Sequence, residues 1–323
     1  CIAVIIYSAC LLNANPGRIE KASFFSHTLG IEKSFNIYLP EGYDESIERY
    51  PTVYICRGHE DEYVNRTNII EWVDRNIENG KLGKMILVLP GLTYEGNRLI
   101  GFPVNMRNIT TLEGKPGMGS GRFEDYFVKD LIPYVDSAFR TIAHRNARGI
   151  DGFSGGALTS ILMSVKHPEL FLSAGGYDGP WGYLDFDDPI KSGPSDDSIW
   201  MNLDLFDPYF GNPRDTSYMK KYNSANIISE ARGRHYQMLK EIKYFIRAAG
   251  EDAQSAFIEG SYYPRAIHLL KVLASKDLMN HWDTDSLILS PDAEHNFTYA
   301  QEYLEINLPL HWKVLSRYEP KKN

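Results

Sequence analysis

The stretch Arg148-Gly-Ile-Asp-Gly-Phe-Ser-Gly-Gly-Ala157 decides the reading of this chain. A short run able to form a strand leads into Gly152-Phe153-Ser154-Gly155-Gly156, and a helix-patterned segment follows at once. A serine placed on a sharp strand-to-helix turn is the context of a nucleophile elbow. Glycines on either side leave room for the backbone to fold back on itself. Alone, the spacing G-x-S-x-G would arise by chance in about one chain in ten of this length. Its meaning rests on whether the other residues supply a sheet, an acid and a base.

The flanking sequence supplies the sheet. Residues 18–27 and 31–39 alternate apolar and polar side chains around Leu29-Gly30, which predicts an antiparallel hairpin. Pro51–Cys56 and Met85–Pro90 are short apolar runs, as in strands buried on both faces. Between them Ile69, Ile70, Val73 and Ile77 share one helical face. Strand, helix and strand at this spacing predict a parallel sheet with crossover helices. Gly91–Gly121 is a long glycine-rich loop, of the kind that is usually functional or disordered. Phe123–Phe139 is helical, with Pro133 expected to kink it. A helix over Ala157–His167 is stopped by Pro168. Strands are expected at Phe171–Gly176, Ile242–Ala249 and Ser286–Ser290, with helices over 263–275 and from about Thr298 to Leu315. Residues 177–231 break the rhythm and read as an inserted loop or small cap. The expected fold is α/β: one domain over 15–319, with a mostly parallel central sheet, helices on both faces and an N-terminal antiparallel hairpin.

Composition narrows the function classes. The 323 residues are 43% hydrophobic and carry a net charge of −8, which gives no reason to expect nucleic acid or an anionic membrane as partner. The three cysteines, Cys1, Cys10 and Cys56, show no metal-type spacing and no disulfide framework. No metal and no cofactor is therefore expected. The opening Cys1–Ala14 is apolar and too short to span a bilayer, and it reads as the remnant of a signal-peptide core on a truncated chain. Tyr-Ser-Ala-Cys10 also loosely resembles a lipobox, which would make Cys10 a lipid anchor. The alternative is a buried first strand. Export is the expectation, and a bacterial origin suits it: of the three Asn-x-Ser/Thr sequons, the one at Asn296 would set a glycan beside a candidate site residue.

In open α/β sheets, ligands bind at the carboxyl ends of the strands. Ser154, Gly250-Glu251-Asp252 and Glu294-His295 all fall there. A serine hydroxyl needs a base to take its proton and later return it to the leaving group, and imidazole suits both steps. His295 is the expected base, with His281 as its rival; His167, His268 and His311 read as surface or packing residues. Asp252 is preferred over Glu251 as the acid, although either could merely cap the next segment. Two backbone N–H groups should form an oxyanion hole: Gly155, next after the serine, and His59 in the turn Arg57-Gly58-His59. The ring of His59, with Glu60, Asp61 and Glu62, would line the mouth.

At this point the chain resembles the esterase family of α/β-hydrolases that includes esterase D and S-formylglutathione hydrolases, feruloyl and acetylxylan esterases, enterochelin esterases and mycolyltransferases. The resemblance covers roughly residues 18–315. It rests on Phe35–Tyr43, Tyr50–Tyr54, Phe123–Pro133, Arg148–Gly156, His167–Phe171, Phe210-Gly211 and His295 in that order. It implies the same triad, Ser154 with Asp252 or Glu251 and His295, and the order Ser, acid, His is the one this fold uses. Two departures stand out: Arg57-Gly58 where relatives usually carry His-Gly, and the long insertion at 177–231. The expected activity is hydrolysis of feruloyl or acetyl esters on carbohydrate through an acyl-enzyme. Siderophore ester hydrolysis, or a non-catalytic carbohydrate-binding role, are the alternatives. Tyr177, Trp181, Tyr183 and Trp200 could form an aromatic wall for a sugar or cinnamoyl ring, or could equally pack the insertion onto the domain.

Overall fold

The computed structural model describes residues 15–94, 101–181, 200–201, 203–254, 261–279 and 292–318. Its centre is a seven-stranded sheet in the order β1-β2-β4-β3-β5-β6-β7. Strands β1 (Arg18–Ser26) and β2 (Ile31–Leu39) form the antiparallel hairpin that alternation predicts, turning at Gly30 with φ 71°. β2 runs antiparallel to β4 (Ile86–Pro90). From β4 through β3 (Thr52–Cys56), β5 (Arg148–Gly152), β6 (Ser173–Tyr177) and β7 (Lys243–Arg247) all pairings are parallel. The expected strand at Ser286–Ser290 lies outside the described residues.

Parallel strands need helical crossovers, and these bury both sheet faces. One face carries Phe35, Ile37, Tyr54, Val88 and Ile150 against α3 (Phe123–Asp125), α4 (Ile132–Ala138) and α5 (Gly155–Lys166). The other carries Tyr38, Val53, Ile55, Leu87, Phe153 and Phe245. It is covered by α2 (Ile69–Glu78), which follows the short α1 (Glu62–Arg66), and by the last helix. Pro133 does not break the helix that contains it. A π-helical turn over Tyr126–Leu131 separates α3 from α4, and the N–H of Ile132 reaches back to Phe127 O. That wider turn accommodates the proline ring and its missing donor.

Beyond β6 the described part of the insertion is helical: α6 (Asp207–Phe210), α7 (Thr216–Lys220) and α8 (Ser224–Glu230), followed by α9 (Gly233–Glu241). Its aromatic side chains gather on Phe102, with Trp200 and Phe210 at 5.6 and 6.0 Å between ring centroids. After β7 come α10 (Tyr263–Ser275) and α11 (Phe297–Leu315).

One buried carboxylate ties these layers together. Glu124 on α3 accepts from Tyr222 OH at 2.5 Å, next to α8, and lies 3.0 Å from Lys166 Nζ and 2.8 Å from His167 Nε2 at the end of α5. Burial alone would raise its pKa. The hydrogen bond from His167, the Lys166 charge and the Tyr222 hydroxyl outweigh that and hold it at about 2. For His167, burial disfavours the charged ring, but its bonds to Glu124 and Glu169 win and raise its pKa. A depressed carboxylate stabilises the fold at pH values above its unfolded value, and that contribution is lost as pH falls through the folded value. A raised histidine contributes below its unfolded value and loses this as pH rises through the folded one. The ion pair should therefore add up to about 3 kcal/mol between these limits. In thermal melts, the wild type should lose more stability between pH 5 and pH 2 than Glu124→Gln does. Parallel curves would remove Glu124 from this role.

Candidate active site

The elbow forms because its neighbours leave no room for side chains. A Cβ on Gly152 would lie 2.5 Å from Cys56 O, and one on Gly156 would lie 1.8 Å from the same atom. With both glycines in place, β5 turns directly into α5. Ser154 takes φ 57° and ψ −120°, outside the regions that a serine ordinarily prefers. Its N–H donates to Tyr177 O at 3.0 Å, which latches the turn to β6.

His295 enters from the segment preceding α11, where Asn296 caps the helix by accepting from Tyr299 N. The imidazole is wedged between Phe153 and Tyr262, at 4.7 and 4.9 Å between ring centroids. Its Nε2 lies 3.0 Å from Ser154 Oγ. Its Nδ1 lies 2.6 Å from Asp178 Oδ2, and the Asp178 side chain is 1% exposed. An ionised carboxylate can only accept, so Nδ1 carries the proton and Nε2 faces the serine with its lone pair. Asp178 is itself fixed: its other oxygen accepts from Ala249 N at 3.0 Å, and its N–H donates to Arg247 O.

Asp178 stands where Asp252 or Glu251 was expected. β6 extends through Tyr177, which pairs with Arg247, so Asp178 emerges at the carboxyl edge of the sheet beside the elbow. β7 ends at Arg247, and the chain then turns outward with Glu251 and Asp252 exposed. Among the described residues, Asp178 is the carboxylate paired with His295. The rule that pointed to strand ends applies equally to Asp178, which directly follows β6. His281 lies outside the described residues.

Of the two expected oxyanion donors, one differs from expectation. Gly155 opens α5, and its N–H makes no hydrogen bond among the described residues, as befits a first-turn donor. The N–H of His59 is already committed, donating to Glu62 Oε1 at 2.9 Å. Glu62 in turn lies 3.3 Å from Arg57 Nε, and the Arg57 guanidinium sits 5.1 Å over the Phe153 ring. The short step from His59 to the first residue of α1 lets Glu62 fold back onto the backbone. Ligand-type atoms of His59, Glu60 and Asp61 lie within 4.8 Å of one another. Lys21 Nζ stands 3.4 Å from Glu60 and 2.8 Å from Asp61, with Ser34 and Asn36 on the same carboxylates.

The aromatic wall is not formed by the described rings. Trp181 is 1% exposed and donates its indole N–H to Ala157 O on α5. Trp200 is fully buried, stacked on Phe206 and Phe210, with its N–H on Pro180 O. Tyr177 is sandwiched between Phe153 and Tyr303 and donates to Glu294 O. These rings hold the insertion and the final helix onto the sheet. Tyr183 lies outside the described residues. Open space lies instead beside His295, in a cleft of 470 Å³ lined by Gly250, Glu251, Asp252, Ala253, Gln254, Asp292, Ala293, Glu294 and His295.

Comparison with known proteins follows the same lines. The family model described as "Putative esterase" matches residues 26–207. An endo-1,4-beta-xylanase/feruloyl esterase of Xylanibacter ruminicola is 29% identical over 178 residues, covering 53% of this chain and 22% of that protein. An esterase of Mycobacterium tuberculosis is 26% identical over 171 residues, covering 52% of this chain and 34% of its own length. The chain thus spans between about a fifth and about a third of the length of these relatives. Among solved structures, a ferulic acid esterase superposes with a TM-score of 0.69 at 18% identity, over 94% of this chain and all of that one, which establishes a shared fold. By the extent of the family match and by its sheet order, this chain belongs to that esterase family and carries the α/β-hydrolase fold.

Proposed function

We propose that this protein is a serine carboxylesterase that works through an acyl-enzyme, with Ser154 as nucleophile, His295 as base and Asp178 as acid. One observation carries the reading: the unbroken chain of contacts from Ser154 Oγ to His295 Nε2 and from His295 Nδ1 to Asp178 Oδ2. As Oγ attacks the ester carbonyl, His295 takes its proton, and Asp178 stabilises the imidazolium that forms. Negative charge on the carbonyl oxygen meets the Gly155 N–H at the positive end of the twelve-residue α5. His295 then protonates the leaving alkoxide, and the alcohol departs. In the second half-reaction His295 activates water, which attacks the acyl-enzyme and releases the acid.

For substrate, we infer acyl esters on carbohydrate, feruloyl or acetyl. The cleft next to His295 carries four carboxylates, Glu251, Asp252, Asp292 and Glu294. Carboxylates accept from the many hydroxyls of a sugar, whereas a trianionic siderophore would be repelled. A relative described as a xylanase and feruloyl esterase supports the same class. The apolar opening residues 1–14 support action outside the cytoplasm, where such polymers are met. Methyl ferulate, acetylated xylan and a catecholate siderophore ester should be offered side by side to the purified protein. Turnover of one of the first two well above the third is expected. A preference for the siderophore would overturn the substrate assignment.

A further inference from the structure

A second Ser–His–Asp arrangement lies beneath the first. His311 on α11 places Nδ1 2.6 Å from Ser173 Oγ on β6 and Nε2 3.0 Å from Asp151 Oδ2 on β5. Asn307, one turn earlier on α11, donates to the same carboxylate oxygen at 2.9 Å, and Gly152 N donates to the other at 2.6 Å. Ser173 and His311 are fully enclosed and Asp151 is 2% exposed, so no substrate reaches them.

A carboxylate in the middle of a sheet face is costly unless every lone pair is met, and a well-packed apolar side chain would usually serve stability as well or better. Here the backbone is shaped for the polar group. A Cβ on Gly175 would lie 1.9 Å from Asp151 Oδ2. A Cβ on Gly149 would lie 2.7 Å from Ser173 Oγ and 2.8 Å from His311 Nδ1. Asp151 lies on β5, three residues before Ser154, while Asn307 and His311 belong to the helix that begins two residues after His295. Ring contacts such as Phe153–Phe297 and Tyr177–Tyr303 also press α11 to the sheet. Those contacts are non-directional and tolerate small slides along the helix axis. Hydrogen bonds to one carboxylate do not.

We propose that Asp151, with Asn307 and His311, is a positioning device that locks α11 to β5 and thereby sets the distance between His295 and Ser154. The inference rests on the esterase reading above, and its test separates the two. Full-length wild type, Asp151→Asn and His311→Gln are compared well below their melting temperatures. The readouts are kcat and KM on a p-nitrophenyl ester, the rate at which a fluorophosphonate labels Ser154, and the low-field proton signal of the His295–Asp178 bond. Both variants should lose about 10- to 100-fold in kcat and in labelling rate, with KM nearly unchanged. The low-field signal should broaden or shift. Asn307→Ser removes one of the bonds to Asp151, together with the longer contacts to Phe245 O and from Arg247 Nε, and gives the same split on a smaller scale if either variant fails to fold. Variants that melt earlier but label and turn over like wild type would reduce the network to a structural element and overturn the proposal. A wild type that neither labels at Ser154 nor hydrolyses esters would bring down the esterase reading and this inference with it.

Discussion

Replacing Ser154 by alanine is expected to lower kcat on p-nitrophenyl esters by on the order of 10⁶, to the level left by binding and the Gly155 donor. The substrate should still bind, because the substitution removes one oxygen and leaves the cleft beside His295 intact. The fold should also survive. Ser154 Oγ contacts His295, and the elbow is built by Gly152 and Gly156, not by the hydroxyl. Stopped assays over a long incubation, with the variant purified away from wild type, would check this. Residual turnover within tenfold of wild type would rule out Ser154 as the nucleophile and assign the catalysis to another group.

The second large effect belongs to Asp178. Asp178→Asn should lower kcat by about 10⁴, because an amide that donates to Nδ1 forces the imidazole proton onto Nε2, where it points at the serine and cannot accept from it. Asparagine suits this position structurally. Asp178 has φ 50°, a conformation that asparagine adopts readily. A loss of activity would therefore report on the tautomer and not on the backbone. Asp252→Asn and Glu251→Gln, both exposed on the turn after β7, should leave kcat near wild type. Equal losses at Asp252 and Asp178 would return the acid to the β7 turn.

That contrast also marks how far the sequence could be read. The hairpin, the buried strands and the helices over 69–78, 263–275 and 297–315 follow from local periodicity, which survives without knowledge of neighbours. The serine was legible from the glycines that flank it, and the histidine from its place after the strand expected at Ser286–Ser290. Asp178 escapes the sequence reading although it lies two residues past the strand expected at Phe171–Gly176, because Tyr177 opens a segment that reads as an insertion. Pairing of Tyr177 with Arg247 on β7, seventy residues later, makes Asp178 the residue at the strand end. The tryptophans misled for a related reason: aromatic residues in a polar segment look like surface, and their burial depends on Phe102 and α5, which sequence spacing does not bring near them. The His59 N–H was lost to a side chain three residues away, a local competition invisible to any motif.

The two contacts on which the proposed chemistry depends join residues 141 and 117 positions apart, and both end on His295, close to the start of the last helix. Long-range contacts of this kind are the last to be rewarded as a chain folds. A growing polypeptide would present a finished elbow long before it could use it. On the proposed roles, Ser154 gains its base only when the segment that carries His295 docks. Ester turnover is thus a direct report that the whole fold is complete.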